Sequence, residues 1–288
     1  MFHVLQISSF DSPELQPYKT MRRSREHEQQ GIFIAEGIKV TQRLLESNFT
    51  VISMVVPEKW LAEFQPLLEK RPEDVIVYVA EKQLLESLTG FSLFQGVLAV
   101  GKIPEPVSFE KILNDSPHPR LFVAVDALTN AENLGALARN CVAFGVQALI
   151  VGETCSSPFL RRAVRNSMGT ILQLPVVELA RLGQWRPRDF TSHTTTMTLV
   201  ECLKAFRAAS VRCIAAHPHT DKRILSQANF TRDCCIVFGS EGDGISPAVL
   251  AACDEAVAIP MPSNVDSLNV GAAAAVFLYE AGRQRGAI

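Results

Sequence analysis

Leu121-Phe-Val-Ala-Val125 is a run of five apolar residues with no polar position among them. A strand with one wet face alternates, whereas an unbroken apolar run suits a strand covered on both faces. The rest of the second half fits that demand. Further strand candidates fall at 148–151, 171–177, 211–215, 235–238 and 256–259, and a helical pattern runs from about 134 to 144. Ser157-Pro158 and Ser246-Pro247 each read as a helix start, with Ser at the N-cap and Pro at the first helical position. Strands alternating with helices imply an α/β fold, a parallel or mixed sheet wrapped by helices. The polar stretch between Leu179 and Thr198 has no clear period and is expected to be a surface excursion.

The first half follows the same rhythm. Ile32-Phe33-Ile34 precedes Glu36-Gly37 and a helical pattern through Leu45. Val51 to Val56 reads as a strand, 60–70 as a helix opened by Pro57, and 75–79, 83–88 and 97–100 as strand, helix and strand. Pro-rich polar segments, Ile103-Pro-Glu-Pro106 and Asn114-Asp-Ser-Pro-His-Pro119, with a short helical piece between them, read as a linker. The expected organisation is therefore a domain over 1–104, a linker over 105–119 and a second domain over 120–288, with no internal repeat.

Composition bounds the function classes. The 288 residues, 47% hydrophobic and 20% charged, can form two globular domains. No apolar run reaches the roughly 18–20 residues that span a bilayer. Met1 to Asp11 lacks a basic start and an apolar core, so a cytoplasmic protein without a signal peptide is expected. Seven cysteines, at 141, 155, 202, 213, 234, 235 and 253, form no C-x-x-C pair. His217 and His219 flank Pro218 and read as a solvated loop pair, so no metal is expected. A net charge of −2 excludes a broadly basic surface, and any nucleic-acid contact must be local.

Three polar clusters stand where a predicted strand ends, the edge at which open α/β sheets bind ligands. In the first, Asn133 is placed to cap a helix, Gly135 admits a close backbone, and Arg139 lies among Leu137, Ala138, Cys141 and Val142. A guanidinium buried among those residues would require a partner. The second is Gly239-Ser-Glu241-Gly242-Asp-Gly244, which is neither a phosphate loop nor a dinucleotide turn. The third starts at Ile259-Pro-Met261 and continues through Ser267-Leu268-Asn269 into a small-residue helix, as if built to hold a ligand.

Together the clusters resemble the SpoU (TrmH-like) family of RNA ribose 2′-O-methyltransferases, of the SPOUT superfamily. The first family motif, N-x-G-x-x-x-R, is matched by Asn133, Gly135 and Arg139. The second, G-S-E-G-x-G, is matched by Gly239 to Gly244, and the third by Ile259 to Met261 with Ser267 to Val270. The N-terminal half is similar to the L30e-like RNA-binding domain, on Phe33-Ile34-Ala35-Glu36-Gly37. Two positions depart: Gly271 stands where the family has Ser, and Ala131 where it often has Pro.

The resemblance implies a trefoil-knotted catalytic domain that binds S-adenosylmethionine and works as a homodimer. It assigns the cofactor to Gly239, Gly244, Ile259, Met261 and Leu268, and the chemistry to Arg139, Asn133, Glu241, Ser267 and Asn269. Arginine is too weak an acid to serve as a base, so Arg139 is expected to orient the 2′-hydroxyl and stabilise developing charge. Lys19, Arg22, Arg23 and Arg25, with Arg161, Arg162 and Arg165, become candidate RNA phosphate contacts. Ribosomal RNA is the expected substrate. Transfer RNA, and a non-catalytic RNA-binding protein of the same fold, are the alternatives.

Overall fold

The computed structural model describes residues 1–89, 96–179, 197–218, 223–262 and 264–288. Most of the predicted 179–198 excursion and His219 lie outside them. The chain divides into two compact units, Met1–Glu105 with Phe159–Gln173, and Pro106–Pro158 with Leu174–Ile288.

The first unit is built on strands β1 (Phe2–Ile7), β2 (Ile32–Glu36), β3 (Val51–Val56), β4 (Val75–Ala80) and β5 (Leu98–Lys102). They form one sheet in the order β1-β4-β3-β5-β2. β1 and β3 run parallel to β4, while β5 is antiparallel to β3 and β2. The apolar runs of β2, β3 and β4 form the core, and the helix Ile38–Glu46 buries Ile38, Thr41, Leu44 and Leu45 at helical spacing. The predicted 60–70 helix is a 3-10 turn, Glu58–Trp60, followed by an α-helix, Leu61–Leu68. β1 carries no apolar pattern: its four central residues are exposed, and backbone pairing with β4 defines it.

Residues 159–173 belong to this unit through aromatic packing. The Phe159 ring lies 5.8 Å from Phe33 and 5.9 Å from Phe49. That anchor explains why Ser157-Pro158 does not start a helix; the chain stays extended until Phe159 is buried, and the helix is Arg161–Asn166. The predicted 171–177 strand is likewise split into a 3-10 turn, Thr170–Gln173, and a short strand beginning at Val176. Met168 and Gly169 adopt positive φ just before it, and the Arg43 guanidinium donates to the Met168 carbonyl.

The second unit contains β6 (Leu121–Val125), β7 (Ala148–Val151), β8 (Val176–Glu178), β9 (Arg212–Ala216), β10 (Cys234–Phe238) and β11 (Glu255–Val257). All six are parallel, in the order β11-β9-β10-β6-β7-β8. β6, β7 and β10 are buried along their whole length, as an unbroken apolar run demands. Phe122, Ala124, Cys235 and Val237 face a core closed by the helices Phe109–Asp115, Leu199–Ala208 and Pro247–Ala252. The short helical piece expected within the linker is the helix Phe109–Asp115, which buries Phe109 and Ile112. The alternate residues face the other side, where Phe238 meets Phe277 of the helix Val270–Gln284 at 5.7 Å. That helix packs along Ala131–Ala143. Because the strands are parallel, Val125, Ala216, Phe238 and Val257 end on one edge, and three polar clusters emerge there.

Candidate active site

The loop after β10 is shaped by backbone. A Cβ on Gly239 would stand 2.1 Å from the Gly244 carbonyl carbon and 2.3 Å from the Ile245 nitrogen, so no side chain fits. Ser240 and Gly244 exchange backbone hydrogen bonds of 3.0 and 3.2 Å, and Gly244 turns the chain at φ +70°. Asp243 N donates to Ser240 Oγ at 3.2 Å. The result is a tight loop that presents an exposed Glu241. Its far end is fastened by Asp126, which is 7% exposed. The Asp126 amide donates to the Phe238 carbonyl at 2.8 Å, and its carboxylate accepts from the Ser246 amide at 2.8 Å.

The helix Ala131–Ala143 starts earlier than its sequence suggests. Asn130, not Asn133, is the cap: its Oδ1 accepts from the amides of Glu132 at 2.8 Å and Asn133 at 3.3 Å. Asn133 is thereby free to face outward from the first turn. The expectation for Arg139 also fails in its premise. Residues 131, 134, 135, 137, 138 and 141 form the buried face, and Arg139 projects from the opposite side, exposed and without a hydrogen bond or ion pair among the described residues. Its charge needs no buried partner because it stays in water.

The two clusters meet at the third. Asn269 caps the helix Val270–Gln284, its Oδ1 accepting from the Gly271 amide at 2.9 Å. Its Nδ2 donates to Glu241 Oε1 at 2.6 Å and to Asn133 Oδ1 at 3.2 Å. One side chain therefore joins all three motifs, with both amide hydrogens used and its oxygen on the cap.

Beside this junction opens a pocket of about 570 Å³, part of it open solvent. Phe238, Val257, Val270, Ala273 and Phe277 make its apolar wall, and Gly239, Glu241, Ile259, Met261, Ser267 and Leu268 its rim. Leu268 stands 39% exposed there. Ser240, Ala216, His217 and Pro218 complete the lining. An apolar slot with polar groups at one end suits a flat base carrying a polar tail, and the residues present fit a nucleoside cofactor. Gly244 shapes the loop without lining the pocket, and Arg139 does not line it. Sequence reasoning missed Asp126, Asn130 and His217; the position of His217 at the carboxyl end of a parallel strand was the available signal.

The half-buried cysteines Cys155 and Cys253 are both shifted toward the protonated thiol. Burial pushes Cys155, whose Sγ sits against the Val125 carbonyl at 3.3 Å, up to about 11, and Cys253 up to about 12. Among the described residues no group of three or more His, Cys, Asp or Glu could hold a metal, and no helix is long and apolar enough to cross a membrane.

All seven candidate RNA cations fall in the first unit. Lys19 pairs with Asp11 at 3.3 Å and Arg23 with Glu26 at 3.0 Å, while Arg22 and Arg25 are exposed. Arg161 and Arg165 both pair with Glu36, which is 8% exposed; the Arg165 contact is 2.7 Å. Arg162 is exposed beside them. The helices Ser24–Gln29 and Arg161–Asn166 both pack on β2.

Comparison with known proteins follows this geometry. The model of the SpoU rRNA Methylase family matches residues 120–279. An uncharacterised tRNA/rRNA methyltransferase of Mycobacterium tuberculosis is 32% identical, over 94% of this chain and 88% of that protein. A 23S rRNA (guanosine-2′-O-)-methyltransferase, RlmB of Acinetobacter baylyi, is 32% identical over 77% of this chain and 84% of its own. The solved SpoU methyltransferase AviRb of Streptomyces viridochromogenes, in complex with AdoMet, superposes with a TM-score of 0.76 at 25% identity, covering 96% of this chain and 100% of that one.

Proposed function

The chain belongs to the SpoU rRNA methylase family, and we propose that the junction of Asn133, Glu241 and Asn269 is where its methyl transfer takes place. The protein is an S-adenosylmethionine-dependent RNA methyltransferase acting on a ribose 2′-hydroxyl. When bound, S-adenosylmethionine supplies an electrophilic methyl group on a sulfonium sulfur. Everything else falls to the chain: positioning the hydroxyl and handling one proton.

The apolar wall from Phe238 to Phe277 would take the adenine, with backbone at Gly239, Ile259 and Leu268 meeting the adenosine and Met261 adding apolar contact. Glu241, Ser267, Asn269 and Asn133 would surround the reacting oxygen. Asn269 holds Glu241 by a charge-assisted hydrogen bond of 2.6 Å. Arg139, exposed and without a partner among the described residues, is available to orient the hydroxyl and a neighbouring phosphate and to stabilise developing negative charge.

Ribosomal RNA is the proposed substrate, supported by the RlmB relative. A homodimer is supported by the outward face of the terminal helix, where Val276 and Tyr279 are 40% and 50% exposed. A trefoil knot is supported by the strand order: β11 lies beyond β9 from β10, and the chain then returns to the helix packed on Ala131–Ala143. The first unit is proposed to bind RNA.

The observation that carries this reading is the convergence of three motifs on one asparagine beside an apolar pocket. Its test uses tritium-labelled S-adenosylmethionine with ribosomal and transfer RNA from cells lacking the protein, followed by mapping of 2′-O-methyl positions. Label in ribosomal RNA is expected. Label in transfer RNA alone would move the substrate, and absence of both label and cofactor binding would leave a non-catalytic RNA-binding protein.

A further inference from the structure

We infer that Asn140 is a positioning residue for methyl transfer, acting through Gly271 on Asn269; this rests on the methyl-transfer reading above. The Asn140 side-chain amide donates to the Gly271 carbonyl at 2.6 Å, across 131 residues of sequence. The Gly271 amide is held in turn by Asn269 Oδ1 at 2.9 Å. Both backbone groups of Gly271 are therefore gripped by asparagine side chains, one from each helix.

Spacing makes this possible. Asn133, Ala136 and Asn140 follow at three and four residues, so they form one stripe on the helix Ala131–Ala143. All three are half-buried, whereas Glu132, Arg139 and Ala143 face solvent. The stripe meets the incoming turn at three heights. Asn133 accepts from Asn269, Ala136 leaves space, and Asn140 donates to Gly271.

Gly271 sets how closely the helices approach. A Cβ there would stand 3.2 Å from Ala136 Cβ and 3.1 Å from Asn269 Oδ1. Glycine at the position where the resembled family carries Ser thus admits the approach that brings its carbonyl within reach of Asn140. Without the Asn140 bond, the first turn of the terminal helix can slide along the stripe. Asn269 then loses its simultaneous reach to Asn133 and Glu241. A displacement of about 1 Å at such a site costs on the order of 100-fold in rate.

Three variants separate positioning from folding. Asn140→Asp keeps the size and removes the donor, Asn140→Ala removes both, and Asn140→Gln keeps a donor on a longer stem. With both substrates saturating, kcat is expected to fall about 10- to 100-fold in the Asp and Ala variants, recover at least in part in Gln, and leave KM for RNA within about twofold. Circular dichroism on the same samples measures the folded fraction. Wild-type kcat in the Asp variant overturns the proposal, as does a loss of kcat that only tracks unfolding. A wild-type protein that methylates no RNA overturns the underlying reading, and this inference with it.

Discussion

Asn269 donates its side-chain amide to Glu241 Oε1 at 2.6 Å, which makes the cap of the last helix and the tip of the loop after β10 one mechanical unit. The two residues come from motifs 28 positions apart. The bond ties the rim of the pocket at Glu241 to the start of the terminal helix, and it holds only while Asn269 keeps its place. The donor roles follow from the network, since the Gly271 amide can only bond an Asn269 oxygen.

Asn269→Asp tests that bond without removing the helix cap, because either residue type accepts from Gly271. The new carboxylate would lie at hydrogen-bond distance from Glu241. Two such groups resist joint ionisation, so one pKa rises. Methyl transfer at pH 8 is expected to fall by about 100-fold or more. Activity should partly return as pH falls, when one shared proton restores a donor. A pH–rate profile parallel to wild type would show that the bond is not used.

Gly239→Ala and Gly242→Ala form a matched pair. The first places a methyl 2.1 Å from the Gly244 backbone, and the second meets nothing within 4 Å. Gly239→Ala is expected to cost roughly 1–3 kcal/mol of stability by overpacking and to abolish cofactor binding. Gly242→Ala should stay within about 0.5 kcal/mol of wild type. Denaturant midpoints and calorimetric titration with S-adenosylmethionine read both; similar behaviour of the two would refute the loop geometry.

Much of this was legible in the sequence, and the exceptions share a cause. The strands β6, β7 and β10 show as unbroken apolar runs because their burial is complete and local. Glu241, Ser267 and Asn269 show because short motifs hold them. The burial of Arg139 was misjudged because composition around it is apolar, while which helix face is buried depends on the partner helix. Asp126 and Asn140 act across 120 and 131 residues, and no local pattern marks such hydrogen bonds. The same holds for Phe159, whose ring is claimed by Phe33 and Phe49 from another part of the chain. β1 is exposed along its centre and therefore carries no periodic signal.

Arg139→Ala is expected to reduce methyl transfer by about 100-fold or more, since a charge-stabilising donor would be lost. Stability should change by less than about 0.5 kcal/mol, because the side chain is exposed and has no partner among the described residues. Cofactor affinity should be unchanged, as Arg139 does not line the pocket. Arg139→Lys should remain impaired, because an ammonium lacks the planar fork. Retained turnover in the Ala variant would remove Arg139 from the chemistry.

His27 is expected to make the first unit sensitive to mild acid. Burial lowers its pKa below 6.5, against the opposing pull of Glu26 and the Pro17 backbone; the Arg161 charge adds to the lowering. Its Nε2 lies 3.1 Å from Thr20 Oγ1. A histidine whose folded pKa lies below its unfolded value binds fewer protons when folded. Stability is then full above the unfolded pKa and declines as pH falls from about 6.5 toward the folded value. Urea midpoints should be lower at pH 5.5 than at pH 7.5, and His27→Gln should flatten that difference. An unchanged pH dependence in the variant would assign the effect elsewhere.

Arg161 and Arg162 are adjacent, yet they should behave differently. Arg161 pairs with Glu36, a carboxylate only 8% exposed, whereas Arg162 faces solvent. Removing Arg161 leaves Arg165 as the remaining cation on Glu36, and the Arg165 side chain is itself 63% exposed. A nearly buried carboxylate with one weakened partner is expected to cost roughly 1–3 kcal/mol. Arg162→Ala should leave stability unchanged. If the first unit binds RNA, Arg162→Ala instead weakens binding and reduces the slope of log affinity against log salt by about one. Arg25→Ala, at the exposed start of the helix Ser24–Gln29 on the same strand, should act in the same way. Filter binding across a salt series, paired with thermal unfolding, separates the two effects. If Arg161→Ala and Arg162→Ala shift the salt slope equally at unchanged stability, the Glu36 pairing does not withhold Arg161 from RNA.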